Sequence, residues 1–135
     1  MVVLVPTSSM YPTIKPEQKL IASRFIGDVE RNDIIVFYSE EADKLLVKRV
    51  VGLPGEHVVV RGREVFINDK EVDNYASSGS DTIKDYGIVP ENCYVFLGDN
   101  RENSYDSRYW KNPFISRDYL KSKILFSVKP FGSIN

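Results

Sequence analysis

The apolar residues of this chain come in short bursts, none longer than the seven residues of 45–51. The other runs are residues 2–5, 20–22, 34–38, 57–60, 65–67, 94–97 and 124–128. They are rich in Val, Ile, Phe and Tyr and are bounded by Gly, Pro, Asn or Asp, which is the punctuation of strands. The chain is therefore expected to be mostly β, an antiparallel sheet fold with a small inserted β lobe and little helix. Residues 56–72 read as a pair of hairpins, with Arg61-Gly62-Arg63 at one turn and Asn68-Asp69-Lys70 at the next. Residues 73–87, carrying Ser77-Ser78-Gly79-Ser80, are expected to form a mobile loop. Helix signals reduce to Ser116, an N-cap with Asp118 in the first turn behind it, which predicts a short helical turn before the last strand.

A length of 135 residues predicts one domain. We expect a single domain over residues 1–135, with a core sheet from 1–55 and 89–135 and a small β lobe at about 56–88. Eighteen basic residues against nineteen acidic ones leave a net charge of −1, which gives no electrostatic basis for a nucleic-acid partner. One cysteine, Cys93, and one histidine, His57, argue against an internal disulfide and against a thiolate or histidine metal site, so no metal and no cofactor is expected. The opening Met1-Val2-Val3-Leu4-Val5 stops at Pro6, well short of the roughly 18 apolar residues that span a bilayer. A chain trimmed of an N-terminal anchor would read the same way.

Three segments differ from ordinary strand and turn sequence. In Pro6-Thr7-Ser8-Ser9-Met10-Tyr11-Pro12-Thr13, hydroxyl residues crowd between two prolines; alone, that reads equally as a solvated turn. In Leu45-Leu46-Val47-Lys48-Arg49-Val50-Val51-Gly52, adjacent residues of a strand point to opposite faces, so one of the two cations must meet apolar neighbours. If that one is Lys48, burial disfavours its ammonium, whereas an arginine keeps its charge in essentially any setting. The bland alternative is an edge strand with two snorkelling cations. The third segment, Gly98-Asp99-Asn100-Arg101-Glu102-Asn103-Ser104-Tyr105-Asp106-Ser107-Arg108, is too polar for a strand and follows one directly. Its Asp106 and Arg108 alone would pass for an exposed ion pair worth under about 1 kcal/mol.

Together the three segments resemble the type I signal peptidases, membrane-bound serine proteases that use a serine and a lysine. Ser9-Met10-Tyr11-Pro12-Thr13 is similar to the family's Ser-Met-x-Pro-Thr box. Residues 47–56, Val-Lys-Arg-Val-Val-Gly-Leu-Pro-Gly-Glu, are similar to its lysine box, and residues 98–108 to its Gly-Asp-Asn-Arg-x-Asn-Ser-x-Asp-Ser-Arg box. The resemblance implies that Ser9 is the nucleophile, Lys48 its neutral-amine base and Ser104 the hydroxyl that orients the amine. It also implies that Asp106 and Arg108 hold the loop, with Asp99 and Asn100 shaping it. The Ser9 N–H and the Thr7 hydroxyl become the donors to the oxyanion. Thr7 departs from the family's usual Ser or Gly, and Ile14-Lys15-Pro16-Glu17-Gln18 replaces its usual Gly-Asp turn.

The implied function is removal of N-terminal signal peptides from secreted precursors. The partners would be secretory preproteins or pilin precursors, bound extended along Pro6, Thr7, Ser8 and Met10. The implied location is the extracytoplasmic face of a bacterial membrane, held by an N-terminal anchor absent from this chain; from composition alone, Phe25 and Tyr11 are aromatic side chains expected to rest against lipid. Two other readings stay open. A non-catalytic assembly factor would bind precursors without cutting them, and a self-cleaving repressor would need a DNA-binding domain and a cleavable linker, neither of which is visible. His57 has no carboxylate in a recognisable triad pattern and reads as structural; Cys93 reads as an inert packing residue.

Overall fold

The computed structural model describes residues 2–4, 10, 13–15, 19–62, 64–74, 83–100 and 106–128. They form eleven strands: β1 (Val2–Leu4), β2 (Lys19–Ser23), β3 (Ile34–Ser39), β4 (Lys44–Gly52), β5 (His57–Arg61), β6 (Glu64–Ile67), β7 (Lys70–Asn74), β8 (Ile83–Ile88), β9 (Cys93–Leu97), β10 (Ile115–Ser116) and β11 (Leu120–Val128). Two sheets result, one of seven strands in the order β1-β2-β11-β3-β4-β9-β10 and one of four in the order β7-β6-β5-β8. Every pairing is antiparallel. The mostly β reading of the sequence holds, and each of the eight apolar runs lies largely or wholly within a strand.

Local sequence explains the hairpins. Between β6 and β7, Asn68 and Asp69 both take positive φ, 50° and 70°. That is the conformation a two-residue turn needs to match the twist of its strands, and Asn and Asp tolerate it best after glycine. Ser116 caps a single 3-10 turn over Arg117–Tyr119 by accepting from the Asp118 N–H, the short helical turn expected there.

The expected loop over residues 73–87 is overturned at both ends: residues 73–74 close strand β7, paired with β6. Residues 83–88 are strand β8, an edge of the small sheet paired with β5. Its alternation is faint in sequence because Ile83, Asp85 and Ile88 are all exposed and only Tyr86 is buried. Residues 75–82 lie outside the described residues.

Two buried clusters sit at β4. Val51, Val58, Val65, Val95 and Leu97 join the two sheets, and Ile35, Phe37, Val50, Phe96 and Trp110 pack on the large one. Phe37 and Phe96 stack with ring centroids 4.3 Å apart, so truncating either to Ala should cost about 3–5 kcal/mol. Gly52 ends β4 where the sheets approach. A Cβ there would lie 2.8 Å from Val58 Cγ2 and 3.0 Å from Val95 Cβ, too close for any side chain.

Candidate active site

Strand alternation separates Lys48 from Arg49, and the sheet settles which one is buried. Lys48 lies opposite Ile35 in the β3–β4 register, so the two side chains share a face, the face of the aromatic cluster. Lys48 is 3% exposed. Loss of water lowers its amine from 10.5 to about 8; Asp106 pulls in the opposite direction, while Arg108 and Lys44 lower it further. At pH 8, then, about half of these amines are neutral bases.

Arg49, on the other face, is clamped. Its Nε and Nη2 donate to Asp99 Oδ1 and Oδ2 at 2.8 and 2.7 Å, and its Nη1 donates to the Asn32 carbonyl at 3.0 Å. Asp99 also accepts from the Thr13 hydroxyl at 2.5 Å, and its N–H donates to Met10 Sδ at 3.4 Å. Through these contacts Asp99 ties Met10 and Thr13 to the segment that follows β9. Met10 is fully buried with Ile14 and Leu20, so the side chain expected to touch substrate is instead core packing.

Asp106 and Arg108 form the second clamp, and the exposed pair considered from sequence is in fact buried. Asp106, 0% exposed, caps the 3-10 turn Ser107–Tyr109. It accepts from the Gly98 N–H at 3.0 Å and from Arg108 Nε and Nη2 at 2.8 and 3.1 Å. Burial alone would lower the Arg108 guanidinium; the Asp106 hydrogen bond and charge more than offset this, and the net shift is upward. Among the described residues, the cations Arg108 and Lys44 therefore disfavour the Lys48 ammonium, and the fully buried Asp106 carboxylate favours it.

Pro6, Thr7, Ser8, Ser9, Tyr11 and Ser104 lie outside the described residues. Phe25 is 81% exposed. His57 does have a carboxylate: its Nε2 lies 2.8 Å from Asp85 Oδ1, a contact made by β8 and hidden from sequence by a separation of 28 positions. Cys93 is partly buried against the inter-sheet core, and burial pushes its thiol up. Among the described residues no group of three or more His, Cys, Asp or Glu could hold a metal ion, and no helix is long and apolar enough to cross a membrane. Sequence reasoning missed Glu56, which accepts a bidentate pair from Arg31 Nη1 and Nη2 at 2.9 and 2.5 Å and braces the turn after β4. The only signal was its place at the end of the lysine box.

Comparison with known proteins finds relatives across most of the chain. A family model described as signal peptidase, peptidase S26, matches residues 1–128. The chain is 39% identical to a probable signal peptidase I-2 of Synechocystis sp., covering 93% of this chain and 62% of that protein. It is 39% identical to a signal peptidase I of Leptolyngbya laminosa, of which it spans 58%, and 35% identical to signal peptidase I U of Bacillus subtilis, of which it spans 76%. The solved structure of a signal peptidase I from Enterococcus faecalis superposes with a TM-score of 0.60 at 31% identity, over 75% of this chain and 99% of that one.

Proposed function

The chain belongs to the signal peptidase family, peptidase S26, and on that premise we propose that it is a serine endopeptidase that removes N-terminal signal peptides from secreted precursors. The observation that carries this reading is the Lys48 amine, 3% exposed and lowered to about 8. A serine hydroxyl is a poor nucleophile near neutral pH, and a desolvated amine is a base able to activate it. In the proposed cycle Lys48 Nζ takes the proton as Ser9 Oγ attacks the scissile carbonyl. The oxyanion is met by the Ser9 N–H and the Thr7 hydroxyl. The proton then passes to the leaving amine, and Lys48 activates the water that cleaves the ester on Ser9. Ser104 orients the amine, and the Asp106–Arg108 pair holds the loop that carries it.

The chain acts as one catalytic domain in which residues 56–88 form a lobe beside the main sheet. Its substrates are secretory preproteins, pilin precursors among them, bound extended along residues 6–9. It works at the extracytoplasmic face of the bacterial membrane, held there by an N-terminal anchor. The test is mass spectrometry of a purified preprotein after incubation with the chain and with its Ser9→Ala variant. Cleavage at one site after the signal peptide by the parent and none by the variant supports the proposal. Cleavage by both overturns the assignment of Ser9, and binding without cleavage by the parent makes it an assembly factor.

A further inference from the structure

The four-stranded sheet has no part in that cycle, yet it sends one side chain to the turn that bears on Lys48. Along β8, Gly87 lies opposite Val58 and Asp85 opposite Val59, so Tyr86 is the extra residue of a β-bulge. Bulges redirect a side chain that regular pairing would aim elsewhere, and Gly87, at φ 73°, supplies the backbone this one requires. Tyr86 is 8% exposed, its ring packed in the inter-sheet core and 6.5 Å from that of Phe114. Its hydroxyl reaches Ser107 Oγ at 2.9 Å. Ser107 donates its own proton to the Phe96 carbonyl at 2.7 Å, so in this pair Tyr86 is the donor and Ser107 the acceptor.

Ser107, 0% exposed, stands between Asp106 and Arg108 in the chain. Among the described residues, those two, with Lys44 from the same strand, are the charged groups that act on the Lys48 amine, while Arg49 and Asp99 are engaged with each other on the opposite face of β4. We propose that Tyr86 is a positioning residue for Lys48: its hydroxyl, delivered across the sheets by the bulge, locks Ser107 and so holds the Asp106–Arg108 turn where its bulk keeps water from the amine. The role in turnover rests on the proposed endopeptidase cycle; the effect on the amine does not. Without the hydroxyl, Ser107 Oγ is a buried acceptor lacking its donor, and water entering to replace it restores solvation to the Lys48 side of the turn.

Tyr86→Phe tests this, because it keeps the ring and removes one oxygen. Lysine labelled at 13Cε allows the Lys48 titration to be followed by NMR without reference to activity. In the parent it should centre at about 8; in Tyr86→Phe it should move upward, by about half a unit. The rising limb of the kcat–pH profile should move with it, kcat should fall about tenfold, and KM should stay within about twofold. Ser107→Ala removes the same contact from the other side and should give the same displacement, with no further shift in the double variant. A lowered Tm with the Lys48 titration unmoved in both variants overturns the proposal and leaves Tyr86 a strut between sheets. A parent that cleaves nothing, while Tyr86→Phe still displaces the titration, refutes the endopeptidase reading and supports the positioning role.

Discussion

Lys48 and Arg49 are neighbours in one strand, and the sheet gives them opposite surroundings. Arg49 meets a carboxylate with matched fork geometry, and Asp99 takes two of its N–H groups. Lys48 meets an aliphatic and aromatic face, and among the described residues the carboxylate that bears on it, Asp106, is already bonded to Arg108. A buried charge that is paired and hydrogen-bonded serves as a clamp, whereas one whose burial outweighs its pairing gives up its proton. The difference shows how a single strand supplies structure on one face and, in the proposed cycle, a base on the other. It also gives the residue types a reason: the clamp suits a fixed guanidinium, and the base must be a group that can be neutral.

The sharpest way to break the contrast is to make the two sides alike. In the proposed cycle Lys48→Arg keeps the charge and removes the neutral base, so cleavage should fall by on the order of 10³-fold, measured in single turnover. Parent activity should rise with pH through about 8 as the amine deprotonates. Cleavage by the arginine variant at near-parent rate would remove the reason for burying a lysine here.

On the clamped face the expected effect is on stability. Asp99→Ala strands a largely buried guanidinium and releases Thr13, so it should cost about 3 kcal/mol in denaturant unfolding. Adding Arg49→Met should recover part of that loss, because the uncompensated charge goes too.

Lys48→Met should move stability in the opposite direction. The folded amine titrates at about 8 and the unfolded one near 10.5. Below pH 8 both states hold the proton and the burial cost is fully present. Between 8 and 10.5 the unfolded chain binds more protons than the folded one, so parent stability rises with pH. Lys48→Met should therefore be more stable than the parent by about 2 kcal/mol at pH 7, with the gain shrinking as pH climbs toward 10.5. An equal gain at pH 7 and pH 11 would mean that the lysine's charge has no part in it.

The smallest effect belongs to the exposed counterpart of these pairs, His57 and Asp85. Solvent screens them, so His57→Gln should leave the thermal midpoint within about 2 °C of the parent. A larger drop would place the pair among the clamps.

Strand content was legible in the sequence because it depends on local features: run length, β-branched and aromatic composition, and the residues that stop each run. So was the turn at Asn68-Asp69, where both residues tolerate the left-handed backbone, and so was the Ser116 cap. The chemical segments could be read from motifs, since Ser9, Lys48 and Asp106 stand in recognisable company. Alternation along 45–51 also required that Lys48 and Arg49 part ways. Which of them would be desolvated was decided by tertiary structure alone, because burial depends on what β3 and β9 place against each face of β4. The same holds for β8, whose exposed edge leaves little hydrophobic pattern, and for His57 with Asp85, Arg49 with Asp99 and Tyr86 with Ser107. Those partners lie between 21 and 50 positions apart, and a distance along the chain carries no information about a distance in space until the register of the sheets is set.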